Sequence, residues 1–139
     1  KKHYYALVEG ETKLEQQGEI IAPIARDVDS IITRRVHKSG KYAHTSYRLV
    51  GDYGRVKLVD INLHTGRTHQ IRVHFAHLGL PLLGDDLYGG SLDYGIERQA
   101  LHCHRLAFVD PFTKKEMVHE SSLTDDFETV IIGLKTKKD

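Results

Sequence analysis

Hydrophobic and polar residues alternate along this chain with two periods, and the switches between them mark out strands and helices. Residues 3–8, His3-Tyr4-Tyr5-Ala6-Leu7-Val8, form a β-rich run closed by Gly10. Apolar or aromatic side chains fall on both of its faces, which predicts a central strand. Residues 11–19 are polar and read as a loop. Glu19 to Ile24 is short and holds Pro23, so it is an edge strand or an extended connection. Residues 27–39 are basic and weakly patterned, and read as a loop. From Lys41 to Leu49 the alternation is clean: Ala43, Thr45, Tyr47 and Leu49 point one way, and His44, Ser46 and Arg48 the other. The turn Gly51-Asp52-Tyr53-Gly54 leads into a strand from Arg55 to Leu63, so 41–63 is a hairpin. Its apolar phase slips between Leu58 and Val59, as a bulge or a strand buried on both faces would require.

The period then changes. Ile71, Phe75 and Leu78 recur at i, i+4 and i+7, which predicts a helix over 68–78. It follows a turn at Gly66, takes Thr68 as its N-cap and stops at Gly79, a residue tolerant of positive φ. Residues 80–90 form a glycine-rich loop and 91–100 a short helix. Leu101 to Val109 is a strand, 110–113 a turn, and Lys115 to Glu120 the partner strand. Phe127, Val130, Ile131 and Leu134 return to helical spacing behind Thr124 or Asp125 as cap, and the tail 135–139 is solvated. With no repeat, linker or low-complexity stretch, the reading is one α+β unit: a mixed, mostly antiparallel sheet with a few flanking helices.

Composition narrows the class. At 139 residues the chain is one domain or a piece of one, and 40% hydrophobic residues suffice for a core. No apolar run reaches the roughly 18 residues of a membrane span, and the start Lys1-Lys2-His3-Tyr4 reads as strand, not as a targeting peptide. A lone cysteine, Cys103, rules out an internal disulfide and argues against a cysteine-rich zinc fold; it fits a reducing, cytoplasmic setting. The net charge of +1 conceals an asymmetry: residues 26–72 hold ten Lys/Arg against four acids, whereas 73–139 hold seven against eleven. A basic half suits a polyanion.

Several constellations could carry chemistry. The start of the helix offers unpaired N–H groups and a partial positive charge beside Arg67, a setting suited to a phosphate. His69 and Arg72, three apart, share a face away from the apolar stripe. Arg72 lies between Ile71 and Val73, so its guanidinium needs a carboxylate or phosphate partner, and on these residues alone a structural ion pair is the slightly favoured reading. Tyr4 alone reads as core. Among ten histidines, His74/His77 and His102/His104 are close in sequence but match no metal-ligand signature, and no metal is expected. No serine sits in the Gly-x-Ser-x-Gly elbow of a hydrolase.

Taken together, a series of motifs resembles the RluA family of RNA pseudouridine synthases. These are Lys2-x-Tyr4-x-Ala6-x-Val8-x-Gly10; Gly18-x-Ile20 with Pro23-Ile24-x-Arg26; and Gly40-Lys41-x-Ala43-x-Thr45-x-Tyr47. The most specific is Thr65-Gly66-Arg67-Thr68-His69-Gln70-Ile71-Arg72-Val73-His74, followed by Gly84-Asp85-x-x-Tyr88-Gly89. Leu101-His102, Leu106-x-Phe108, Pro111-x-Thr113 and Asp126-Phe127 resemble the close of the family's catalytic domain. The resemblance implies that Tyr4 stacks on the target uracil and that Arg72 pairs with the catalytic aspartate. It further implies that Arg67, Thr68, His69 and Gln70 contact RNA, and that no metal or organic cofactor takes part.

The family's nucleophilic aspartate lies in a His-Arg-Leu-Asp segment upstream of the tyrosine strand. Here His104-Arg105-Leu106-Ala107 matches in spelling only, and Asp27 and Asp29 match no catalytic motif. The expectation is therefore that 1–139 is the C-terminal part of a catalytic domain. Its parent would isomerise uridine in ribosomal or transfer RNA, while the fragment itself is inactive. A non-catalytic RNA-binding module is the alternative, and a histidine-ligated metalloenzyme a more distant one. Strand edges left uncovered predict self-association, or a disordered margin near 1–3 and 26–39.

Overall fold

Tyr4, Ala6 and Val8 point to one side of their strand and Tyr5 and Leu7 to the other, so the strand can be satisfied only between two packed layers. In the computed structural model of the chain, which describes residues 2–137, it takes that place. The strands are β1 (Lys2–Glu9), β2 (Gln17–Ile21), β3 (Ile24–Arg26), β4 (Arg34–Val36), β5 (His44–Asp52), β6 (Val56–Leu63), β7 (Leu101–Val109) and β8 (Glu116–Glu120). Two α-helices join them, α1 (Gln70–His77) and α2 (Asp125–Lys137), with one 3-10 turn at Asp86–Tyr88. The main sheet is antiparallel in the order β2-β5-β6-β1-β7-β8, so the expected antiparallel α+β architecture holds.

Helix α1 covers one face. Its Ile71 and Phe75 meet Ala6, Val8, Val59 and Ile61 from the sheet and Leu80 and Leu82 from the following loop. Helix α2 covers part of the other, where Phe127, Val130 and Ile131 meet Leu7, Val56, Leu58 and Leu83. Phe75 and Phe127 are both fully buried, and each is worth about 1.5–3 kcal/mol in transfer free energy. Thr124 occupies the N-cap of α2, its carbonyl accepting from Glu128 N at 3.1 Å. The helix continues through Lys137, into the stretch read as a solvated tail; residues 138–139 lie outside the described residues.

Several expectations change. The phase slip in β6 reflects a strand buried on both faces, Val56 to Val59 being continuously buried. The bulge sits on its partner: β5 skips Val50 between the pairs Leu49↔Val59 and Gly51↔Leu58. Within residues 27–39, read as a loop, 34–36 form strand β4, which pairs with β3 as a separate hairpin from Ile24↔Val36 to Arg26↔Arg34, while 27–33 and 37–39 are turns. Three-residue strands are too short to show a period, and local bonds shape the turn: the Asp27 carboxylate accepts from Asp29 N and Thr33 Oγ1. Residues 2–3 likewise belong to β1, and residue 1 lies outside the described residues. Residues 91–100 form turns instead of a helix; Ile96 and Ala100 anchor them in the α2-side core. Finally, α1 begins at Gln70, two residues later than expected.

Candidate active site

The late start of α1 follows from Gln70, which is only 3% exposed. Its Nε2 donates to His44 O (3.0 Å) and Thr45 Oγ1 (2.9 Å), while Oε1 accepts from Thr65 Oγ1 (2.7 Å) and Arg67 N (2.9 Å). The amide is thus fully spent on folding the 65–69 loop onto β5. Gln70, for which the resemblance implies an RNA contact, also braces that loop. Thr68 is exposed and is not the helix cap. The N-cap position belongs to His69, in the left-handed region at φ 56°, ψ 23°, with no side-chain cap bond. One turn below, His74 is fully buried: Nε2 donates to Ala22 O (2.9 Å) and Nδ1 accepts from Thr45 Oγ1 (2.8 Å). Burial pushes its imidazole below the usual value, so it stays neutral and makes both bonds. At the far end Gly79, at φ +78°, stops the helix as expected.

Arg72 leaves the helix toward the loop after α1 and finds a carboxylate there. Its Nε and Nη2 donate to Asp85 Oδ2 and Oδ1, both at 2.9 Å, a bidentate pair. The Asp85 side chain is 1% exposed and that of Arg72 14%. Hydrogen bonding to Asp85 outweighs burial and holds the guanidinium firmly protonated. Gly84 makes this possible: at φ +74°, a Cβ there would meet Arg98 O at 2.0 Å, so only glycine lets the chain turn Asp85 inward. Tyr88 completes the support, its ring lying 5.0 Å from the Arg72 guanidinium carbon.

The Tyr88 hydroxyl also meets the His69 ring. It accepts from Arg34 N at 2.9 Å and lies 2.7 Å from His69 Nδ1. Burial, then the charges of Arg72 and Arg34, push the His69 imidazole down, so the ring is neutral. The hydroxyl accepts from Arg34 N with one lone pair, and its single proton is free to be donated to Nδ1 of the neutral ring. Nε2 then carries the hydrogen and is a donor. His69 and Arg72 do share a side of the helix, as their spacing implied, and Tyr88 is what they share.

Tyr4, from β1, meets this assembly at its mouth. Tyr4, Leu63, Arg67, His69, Arg72 and Leu101 are among the residues that line a cleft of about 250 Å³. Burial raises the Tyr4 phenol above its ordinary value, so it is an uncharged ring. Arg67, whose Nε donates to Tyr42 O at 2.7 Å, also lines an adjoining groove of about 500 Å³. Arg26, Arg34 and Lys41 line that groove too, and no acid does. The arrangement offers a flat aromatic face, a neutral donor and a clamped guanidinium in one cleft, with a track of four cations beside it. Of the sequence candidates, Tyr4, Arg67, His69, Gln70 and Arg72 line the one cleft, while Thr68 lines only the basic groove. Asp85 and Tyr88 lay in a motif quoted from sequence, yet their roles were not read, since nothing local ties them to Arg72.

The histidines close in sequence do not converge. His74 is spent in the core as described, His102 pairs with Ser121, and His104 lies 2.9 Å from Asp60 and stacks on Tyr5.

Comparison with known proteins follows the same lines. The family described as RNA pseudouridylate synthase matches residues 1–77. An uncharacterized RNA pseudouridine synthase of Bacillus subtilis, YjbO, is 42% identical over 133 residues, covering 96% of this chain and 46% of its own. The ribosomal large subunit pseudouridine synthase D of Buchnera aphidicola is 36% identical over 149 residues, covering 96% and 46%. Human RNA pseudouridylate synthase domain containing 1 superposes with a TM-score of 0.69 at 25% identity, over 96% of this chain and 65% of that one. The chain spans about half the length of the curated relatives it matches. With the motifs, the antiparallel fold and these relatives in agreement, the chain belongs to the RNA pseudouridine synthase family.

Proposed function

We propose that these residues form the base-binding and positioning half of an enzyme that isomerises uridine to pseudouridine in ribosomal or transfer RNA. The observation that carries this reading is the shared cleft: Tyr4 and Arg72, on separate elements, line one site. A target uridine leaves its stack and lies against the Tyr4 ring. His69 Nε2–H meets a carbonyl of the base. The glycosidic C1′–N1 bond breaks, the uracil turns, and C1′ bonds to C5; the C5 proton is lost and N1 gains one, so substrate and product are isomers. Flanking phosphates follow the groove of Arg26, Arg34, Lys41 and Arg67.

The attacking carboxylate is not Asp85, whose side chain is buried away from any ribose. It comes from outside residues 1–139 and is held ionised by Arg72, which spends two of its five N–H groups on Asp85. Such an enzyme works in the cytoplasm, where Cys103 stays reduced. A narrower reading, that residues 1–139 alone bind RNA without turnover, is favoured by the acid-free groove.

The test compares this chain with one extended upstream by the His-Arg-Leu-Asp segment, on uridine-containing RNA. The extended enzyme converts uridine, and Arg72→Ala nearly abolishes conversion. Turnover by residues 1–139 alone would refute the source of the nucleophile, and full activity in Arg72→Ala would remove Arg72 from the mechanism. For binding, each phosphate neutralised on single-stranded RNA gives a log–log salt slope of about −0.7. Reversing Lys41 and Arg67 to Glu leaves two phosphates without a cation and should flatten that slope by about 1.4.

A further inference from the structure

The face of the sheet opposite α1 carries a second group of polar residues. Register places it. On the β2–β5 ladder Glu19 pairs with Ser46, on the β5–β6 ladder Ser46 pairs with Asn62, and His64 N donates to His44 O across the strand ends. Glu19, His44, Ser46 and Asn62 therefore project from the same side of three adjacent strands, with His64 just beyond the end of β6 beside them. The His44 and His64 rings stack with centroids 4.1 Å apart at 18°. His44 Nε2 lies 2.7 Å from Glu19 Oε1, and His64 Nε2 is hydrogen-bonded to Ser46 Oγ. The donor atoms of Glu19, His44 and His64 all fall within 4.8 Å of one another.

We propose that Glu19, His44 and His64 bind one late first-row divalent metal ion, zinc in the first instance. Two neutral imidazoles and one carboxylate are the donor set such ions select, whereas magnesium and calcium prefer oxygen alone. The spacing is close to what coordination needs. Bonds of about 2.05 Å at the tetrahedral angle set two nitrogens roughly 3.3 Å apart. Donors no more than 4.8 Å apart need close by at most about 1.5 Å to reach that separation. Side-chain torsions supply this, since Glu19 and His44 stand on paired strands and His64 directly follows β6. Glu19 and His64 are exposed, leaving room for solvent ligands. Asn62 Oδ1 is buried with no hydrogen-bond partner among the described residues, and a water carried by the ion would give it one.

The ion would act on structure. His44 N donates to Thr65 Oγ1 and its carbonyl accepts from Gln70 Nε2, while His64 directly precedes Thr65. Joining β2, β5 and β6 here secures the root of the loop that carries Arg67 and His69. The site stands independently of the RNA reading.

The experiment is calorimetric titration of the chelator-treated chain with zinc chloride, beside magnesium chloride and a thermal melt. One zinc ion binds per chain with a Kd of about 10 µM or tighter, and the melting temperature rises; magnesium does neither. Glu19→Gln and His64→Gln, both at exposed positions, each weaken zinc at least ~10-fold, as loss of even an outer-shell partner does. His119→Gln, far away on β8, leaves it unchanged. Cobalt(II) in place of zinc gives visible absorption that His64→Gln removes. Absence of zinc binding up to about 100 µM, or affinity within about threefold of the parent in both ligand variants, overturns the proposal.

Discussion

Replacing Asp85 with alanine isolates the interaction on which the cleft is built. In the parent, two N–H···O bonds of 2.9 Å join groups whose side chains are 14% and 1% exposed. The substitution leaves the guanidinium buried with neither acceptor nor countercharge, and breaking such a pair from one side costs about 3–5 kcal/mol. That is a large part of the ~5–15 kcal/mol by which a domain is folded. The Tyr88 ring stays beneath Arg72 and retains about 0.5–2 kcal/mol of the attraction. Urea denaturation followed by circular dichroism reads the loss. With a slope near 2 kcal/mol per molar, the midpoint falls by about 1.5–2.5 M. The companion Arg72→Met/Asp85→Leu double variant removes both charges and should return to within about 1 kcal/mol of the parent, since the pair's net worth over an apolar one is small. A loss below about 1 kcal/mol for Asp85→Ala would refute the reasoning, as would a double variant no more stable than that single one. In the extended enzyme the same double variant should be folded and inactive, which separates holding the cleft from working in it.

Three further outcomes are expected. Because the His74 pKa is lower folded than unfolded, the unfolded chain binds the proton first; stability is complete above about pH 6.5 and falls as pH drops toward the folded value. Urea midpoints from pH 7.5 down to 5 should show this fall, and His74→Asn should lessen it; a parent midpoint that rises on acidification would contradict the assignment. Long-range ¹⁵N–¹H correlation spectra should show His69 as the Nε2–H tautomer, a preference lost in Tyr88→Phe; an Nδ1–H tautomer in the parent would overturn the relay. Strand β8 is exposed throughout and, among the described residues, leaves one backbone edge unpaired, with Met117 and Val118 on the strand. Light scattering should show mass rising with concentration, suppressed in Val118→Lys; a monomer up to about 300 µM would remove the proposal of self-association through this edge.

Periodicity alone determined much of this protein. Alternation along β1 and β5, and helical spacing in Ile71/Phe75 and Phe127/Val130/Ile131, are local consequences of which face must leave water, so the longer strands and both helices could be read directly. The motif around Arg72 was legible for a similar reason: a charge flanked by apolar neighbours demands a partner wherever the chain leads. What could not be read is what lies on another element. That Asp85 is the partner depends on a positive-φ glycine turning a loop inward; that Gln70 braces the 65–69 loop depends on β5 lying beside it. The hairpin at 24–36 is too short to carry a period, and its place is set by Tyr88, which accepts from Arg34 N. His44 and His64, twenty residues apart in the chain, become neighbours only through strand register. Sequence patterns specify which surfaces must be buried; which polar groups then meet follows from the packing that buries them.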